Sequence, residues 1–263
     1  MLFRSKSDIC LIESENETIM KRIVIVGATS GIGMEVARLC IAAGWRVGVA
    51  GRRAERLETL RAEAPDRVSV ARIDVDDPAA PEALTHLIDA LGGMDIYFHV
   101  SGIGKQNPDL DPAIELRTLE TNAVGFTRMI TAAYGYFARQ GGGHIAAVSS
   151  IAGTKGLGAA PAYSATKRFQ NTYLDALAQL ARMRRLKIAF TDIRPGFVAT
   201  DLLDKEHYYP MQMSVSPVAR KAFKAIVRRR RRVVIDWRYA VVTFFWRLYP
   251  ECLWERLRVG VKR

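Results

Sequence analysis

Tyr163 and Lys167 stand one helical turn apart in Y-S-A-T-K, with the serine pair Ser149 and Ser150 shortly before them. A phenol can give a proton in one direction of a reaction and take it in the other, but an ordinary pKa of about 10 makes it a poor base near neutrality. An ammonium one turn along favours the phenolate, which would make the pair a proton-transfer couple. Many such pairs only line a helix surface, so the elements that position this one decide its meaning.

Those elements alternate. I23-V-I-V26 is a β-rich apolar run that ends in G-A-T-S-G-I-G, and M34-E-V-A-R-L-C-I-A-A43 follows with helical spacing until Gly44 stops it. The same order recurs in R46-V-G-V-A50 before a helix from about Arg53, V68-S-V-A-R-I73 before a helix from about Pro78, and M94-D-I-Y-F-H-V100 before a helix over 112–138. H144-I-A-A-V-S149 precedes a helix over 162–185, K187-I-A-F-T-D-I193 runs into R-P-G, and R232-V-V-I235 adds a seventh strand. Strands that are nearly continuous apolar runs, alternating with helices, predict a parallel sheet covered on both faces, a single doubly wound α/β (Rossmann) domain with a C-terminal helical extension.

Composition supports a globular chain of 263 residues, 49% hydrophobic and 25% charged. Cys10, Cys40 and Cys252 have neither ligand nor disulfide spacing, so no metal and a reduced, cytoplasmic setting are expected. No run of about 18 uncharged apolar residues could span a bilayer, and the first residues lack the order of a secretory signal. Residues 1–19 are polar and precede Met20-Lys21-Arg22, which resembles a natural start, so they are expected to be a disordered or non-native leader. The domain is expected over 20–235. The net charge of +12 is concentrated after Pro217, where 14 lysines and arginines face 3 acids, so basicity belongs to the tail and not to the whole protein.

The turn G27-A-T-S-G31-I-G33 follows the first strand and opens the first helix, where a phosphate meets free backbone N–H groups and the positive helix end. Alone such a turn also serves packing, but its place in a βαβ unit makes it a dinucleotide site. At the end of the second strand an acid would bind a ribose 2′-OH, whereas arginine accommodates a 2′-phosphate. The chain has A50-G-R-R53 there, so Arg52 and Arg53 favour NADP(H) over NAD(H).

With these features the sequence resembles the classical short-chain dehydrogenase/reductase family over about 20–235. V26-G-A-T-S-G-I-G33 is similar to the family's glycine turn, with Val26 in place of threonine, and brings Gly27, Thr29, Ser30, Gly31, Ile32 and Gly33 to the cofactor. Asp74 and Val75 resemble the pair that contacts adenine, Asn122 in T-N-A-V-G the structural and catalytic asparagine, and Ser150, 13 positions before Tyr163, the family's serine. R194-P-G-F-V-A-T200 resembles the loop that closes over nicotinamide, adding Pro195, Gly196, Val198 and Thr200 to the cofactor set. The family's N-N-A-G is replaced by H99-V-S-G102, which keeps the glycine, leaves Ser101 and Gly102 against the cofactor and makes His99 a packing residue.

The resemblance implies hydride transfer between nicotinamide and a carbonyl/secondary-alcohol pair, with Tyr163 as general acid/base. Lys167 would hold the nicotinamide ribose, Asn122 would anchor a water that links the lysine to solvent, and Ser150 would orient the substrate oxygen. Taken alone, Ser150 is an ordinary strand-end serine and Asn122 a helix-bending polar residue. The resemblance also implies a homodimer or homotetramer. The alternative on the same fold is a non-catalytic nucleotide-binding regulatory or scaffold protein.

Two segments bear on substrate and partners. D201-L-L-D-K-E-H-Y-Y-P-M-Q-M213 occupies the place of the substrate-covering loop and offers Tyr208, Tyr209, Met211 and Met213, either as adaptable apolar surface for a moderately lipophilic substrate or as loop packing. Residues 236–263 form a basic, aromatic-rich extension with three of the four tryptophans, suited either to peripheral contact with a membrane or to packing on the protein itself or a second subunit. The run R228-R-R-R-R232 lies between a helix and a strand as a solvated turn, without a stacking platform for nucleic acid.

Overall fold

The computed structural model describes residues 21–203, 209–257 and 259. The expectations for the leader 1–19 and for Tyr208 lie outside them. Strand β1 (Arg22–Val26) is followed by α1 (Gly31–Ala42), β2 (Arg46–Gly51), α2 (Ala54–Glu63), β3 (Val68–Arg72), α3 (Ala80–Leu91) and β4 (Ile96–His99). After β4 come α4 (Pro112–Leu119), a π-helical turn (Glu120–Gly125), α5 (Phe126–Gln140), β5 (Gly142–Val148), a 3-10 turn (Ile151–Thr154), α6 (Pro161–Met183) and β6 (Lys187–Pro195). The chain ends with α7 (Val215–Val227), β7 (Arg232–Ile235), α8 (Trp237–Leu248) and α9 (Glu251–Trp254).

All seven strands are parallel, in the order β3-β2-β1-β4-β5-β6-β7. Side chains alternate across a strand, and β1 shows what that does here: Ile23 and Ile25 pack under α1, α2 and α7, while Val24 and Val26 pack under α3, α5 and α6. All four are fully buried, and each such side chain contributes about 1.5–3 kcal/mol. The strand order reverses at β1 and β4, so a crevice opens at their carboxyl ends, where the glycine turn and residues 99–102 meet.

One element departs from the sequence pattern. The helix expected over 112–138 is interrupted by the π turn at Glu120–Gly125. Asn122 explains the interruption: its side chain bonds both backbone groups of Ile103, accepting from the N–H at 2.9 Å and donating to the carbonyl at 2.7 Å. Gly125 allows the widened turn to sit against the end of β3, because a Cβ there would come within 2.9 Å of the Val75 carbonyl oxygen. Hydrophobic spacing reports the buried face of a helix but not a register shift imposed by a side chain.

Candidate active site

Tyr163 lies in the first turn of α6, and Glu115 on α4 fixes that turn. One carboxylate oxygen accepts from the Ala162 N–H at 2.9 Å and the other from Asn107 Nδ2 at 2.9 Å, so an acid stabilises the positive end of the helix. The Tyr163 ring packs on Gly104, where a Cβ would stand 2.7 Å from Cε2. Neither Glu115 nor Gly104 carries a sequence signal that sets it apart from ordinary helix and loop residues.

Ser150 caps the 3-10 turn after β5, its Oγ accepting from the Ala152 N–H at 3.1 Å and donating to the Pro195 carbonyl at 3.4 Å, and it lies close enough to Tyr163 to act on the phenol. Burial pushes the Tyr163 phenol above its ordinary value, and the neighbouring Ser150 opposes that shift without reversing it. In this arrangement the Tyr163 phenol is held protonated. Lys167 is not seen pulling the phenol down, because its Nζ lies 5.7 Å from the ring centroid and is engaged elsewhere.

Lys167 is buried, and its Nζ donates to the Val148 carbonyl at 3.2 Å and to Gln170 Oε1 at 3.0 Å. Burial lowers its pKa from 10.5 to about 8, while Asp192 acts in the opposite direction. Asp192 is fully buried, paired with Arg194 at 2.6 Å and hydrogen-bonded by Ser149. The completely buried Gln170 closes the network, since its Nε2 donates to the Asn122 carbonyl at 2.8 Å. A single amide thus links the lysine to Asn122, and no family-like motif in the sequence marks it.

The four residues expected for catalysis therefore share one cluster. A Cβ at Gly102 would lie 3.1 Å from Asn122 Oδ1 and 3.6 Å from Lys167 Nζ, so glycine there leaves the floor of the crevice open above the lysine. His99 is buried against Phe126 in an edge-on contact at 5.0 Å, with Nδ1 3.0 Å from the Tyr97 hydroxyl. Burial drives its pKa down to about 3, as befits a neutral packing residue. Ser101 bonds Val26 through its backbone N–H at 3.0 Å.

The residues fit a dinucleotide. Gly27 (φ 98°) and Gly31 (φ 54°) take left-handed conformations, and a Cβ at Gly33 would overlap the Gly27 carbonyl, so the turn needs glycine to close. Ser30 makes no side-chain cap on α1, which leaves the first N–H groups of that helix for a ligand. Arg53 reaches over the turn, donating from Nη2 to Thr29 Oγ1 at 2.9 Å and to Ser30 Oγ at 2.7 Å. Arg52 is exposed beside it, and Ile32 is buried in α1. Val75 is buried and Asp74 half-buried just after β3. Thr200 faces Gly31 across the crevice, where its Cγ2 would lie 3.0 Å from a Cβ on that glycine.

Residues 194–200 are tied to the 209–213 segment and to α8. Val198 forms a parallel bridge with Met213, and Phe197 packs on Tyr209 with centroids 5.0 Å apart. Tyr209 and Met213 are buried in this packing and Met211 is partly buried. Tyr239 of α8 lies under Gly196, and its hydroxyl accepts from the Phe197 N–H at 3.2 Å and donates towards the Pro210 carbonyl at 2.9 Å. A crevice of about 590 Å³ lies between 156–159 and the extension, lined by Pro108, Ala159, Trp254 and Leu257 among others. Asn122, Ser150, Tyr163 and Lys167 are not among its lining residues.

Comparison with known proteins decides the family, because the short chain dehydrogenase family matches residues 21–208. The chain belongs to the classical short-chain dehydrogenase/reductase family. An uncharacterized oxidoreductase of Myxococcus xanthus is 31% identical over 246 residues, covering 91% of this chain and 96% of that protein. Dehydrogenase/reductase SDR family member 7B of Bos taurus is 34% identical over 192 residues, 68% of this chain and 58% of its own length. A short-chain dehydrogenase/reductase from Burkholderia phymatum in complex with NAD shares the fold with a TM-score of 0.77 at 19% identity, over 88% of this chain and 94% of that one. An alcohol dehydrogenase from Thermococcus sibiricus complexed with 5-hydroxy-NADP gives 0.73 at 20%, over 84% and 97%. This short-chain dehydrogenase/reductase is an oxidoreductase with a Rossmann-like sheet of seven strands, and among its described residues no helix is long and apolar enough to cross a membrane.

Proposed function

We propose that this oxidoreductase interconverts a moderately lipophilic carbonyl compound and its secondary alcohol with NADP(H), using Tyr163 as the proton donor and acceptor. The observation that carries the reading is the cluster of Ser150, Tyr163, Lys167 and Asn122 beside an open glycine-floored crevice. The intact Ser150, Tyr163 and Lys167 argue against a non-catalytic scaffold on the same fold.

The cofactor, when bound, supplies or removes the hydride. Ser150 and Tyr163 hold the substrate oxygen, and in reduction Tyr163 gives its proton to that oxygen as negative charge develops there. The raised phenol pKa keeps the donor protonated. Lys167 and Gly102 would hold the nicotinamide ribose, and Arg53, next to Arg52, would meet the adenosine 2′-phosphate above Thr29 and Ser30. A homodimer or homotetramer would cover the exposed Leu116, Leu119, Phe169 and Met183 on α4 and α6.

A screen of carbonyl compounds followed by NADPH loss tests this reading. Tyr163→Phe should reduce turnover by at least ~10³-fold while cofactor titration by fluorescence is unchanged. Retained turnover in the variant, or NADH used as well as NADPH by the parent, would overturn the acid/base role or the Arg53 role respectively.

A further inference from the structure

Helix α8 has two faces that do different things. Tyr239 and Thr243 are buried against the body of the protein. Trp237, Val241, Phe244, Phe245 and Leu248 are between 45 and 75% exposed. At about 100° per residue these five positions fall within an arc of roughly 100°, a continuous apolar stripe. Such a stripe on a described surface calls for a partner.

Charge distinguishes the partners. Arg238 and Arg247 flank the stripe on opposite sides. Arg238 pairs with Asp236 at 2.9 Å, but no carboxylate among the described residues pairs with Arg247, whose charged neighbours are Arg168, Arg194 and Arg232. A second copy docked by two-fold symmetry would bring this basic surface against itself. A surface of anionic lipid headgroups offers the opposite charge and a place for tryptophan and phenylalanine just below it. The helix has 12 residues, too short to cross a bilayer and long enough to lie along one.

We propose that the outer face of α8 docks this protein on anionic membrane surfaces, with Trp237, Val241, Phe244, Phe245 and Leu248 entering the headgroup region and the surrounding arginines pairing with lipid charge. The inner face of the same helix holds 196–197 and 210–211 through Tyr239, so docking would place the crevice beside the bilayer. Docking of this kind does not depend on the assigned reaction.

Co-sedimentation of the full chain with phosphatidylcholine vesicles, with and without about 30% phosphatidylserine, tests it. Binding is expected only to the anionic vesicles, weakening as salt rises. Phe244→Ser with Phe245→Ser should cut the bound fraction at least ~10-fold, with NADPH binding and sedimentation coefficient in lipid-free buffer unchanged. The proposal fails if the intact chain ignores anionic vesicles, if the double variant binds as the parent does, or if that variant dissociates an oligomer and so marks the stripe as a subunit contact.

Discussion

The polar cluster around Lys167 and the extension around α8 are built in opposite ways. In the cluster, charged and polar groups are buried and each is held by a neighbour: Lys167 by Val148 and Gln170, Asp192 by Arg194, Asn122 by Ile103. In the extension, apolar groups are exposed and the polar contacts are anchors, with Lys155 donating to the Tyr249 carbonyl at 2.9 Å and Trp254 to the Gly156 carbonyl at 2.7 Å. The first arrangement spends stability to fix a reacting geometry. The second fastens a helix to the protein while keeping one side of it bare.

The largest effect should come from Lys167, where function and stability have opposite signs. Its pKa is lowered on folding from 10.5 to about 8, so between those values the unfolded chain binds more protons and stability rises with pH. Below pH 8 the folded protein carries the full burden of a buried ammonium. Lys167→Met should lower kcat/KM at least ~10³-fold yet raise thermal stability at neutral pH, by up to about 3 kcal/mol, with the gain shrinking as the pH approaches the lysine's ordinary value. A variant that loses activity and stability together at neutral pH would show that the hydrogen bonds to Val148 and Gln170 outweigh the burial cost.

Gln170 sharpens the same comparison. Replacing it with leucine removes a donor from the Asn122 carbonyl and an acceptor from Lys167, which should reduce kcat ~10- to 100-fold with little change in KM for cofactor. Gln170→Glu restores the acceptor and adds a charge that raises the lysine pKa, so the alkaline limb of the pH–rate profile should move upward. A merely structural glutamine would give a stability loss in both variants and no movement of that limb.

This network also marks where the sequence stopped being legible. The strand runs, the glycine turn and the spacing from Ser150 to Tyr163 are local or ordered along the chain, so periodicity and motif were enough for the sheet and for choosing the four residues, Asn122, Ser150, Tyr163 and Lys167, that the fold brings together. Gln170 could not be read, because its meaning lies in two bonds to residues distant in sequence or placed by the helix. The π turn was hidden for the same reason, since hydrophobic spacing continues through it while Asn122 shifts the register from within. For residues 236–263 the sequence left membrane contact and protein packing as rivals. The structure gives α8 an inner face packed on protein and an outer face exposed, a division set by which side of the helix β7 and the turn at Asp236 present to the core. Asp236 itself takes a positive φ of 79°, and Arg238 holds its carboxyl down to about 2, so that the acid caps α8 as it turns the chain.

The smallest effect belongs to the anchor that joins the two regions. Tyr239→Phe keeps the ring under Gly196 but removes the acceptor for the Phe197 N–H and the donor to the Pro210 and Met211 carbonyls. Because these are neutral hydrogen bonds whose backbone partners at Phe197 and Pro210 are not fully buried, their loss should cost about 1 kcal/mol, appearing as a KM for carbonyl substrate raised a few-fold at nearly constant kcat. The contact between 196–197 and 210–211 would be looser while the Tyr163 and Lys167 geometry stays as it was. Should kcat fall as steeply as in the Gln170 variants, the extension would be part of the reacting geometry and the division between the two regions would not hold.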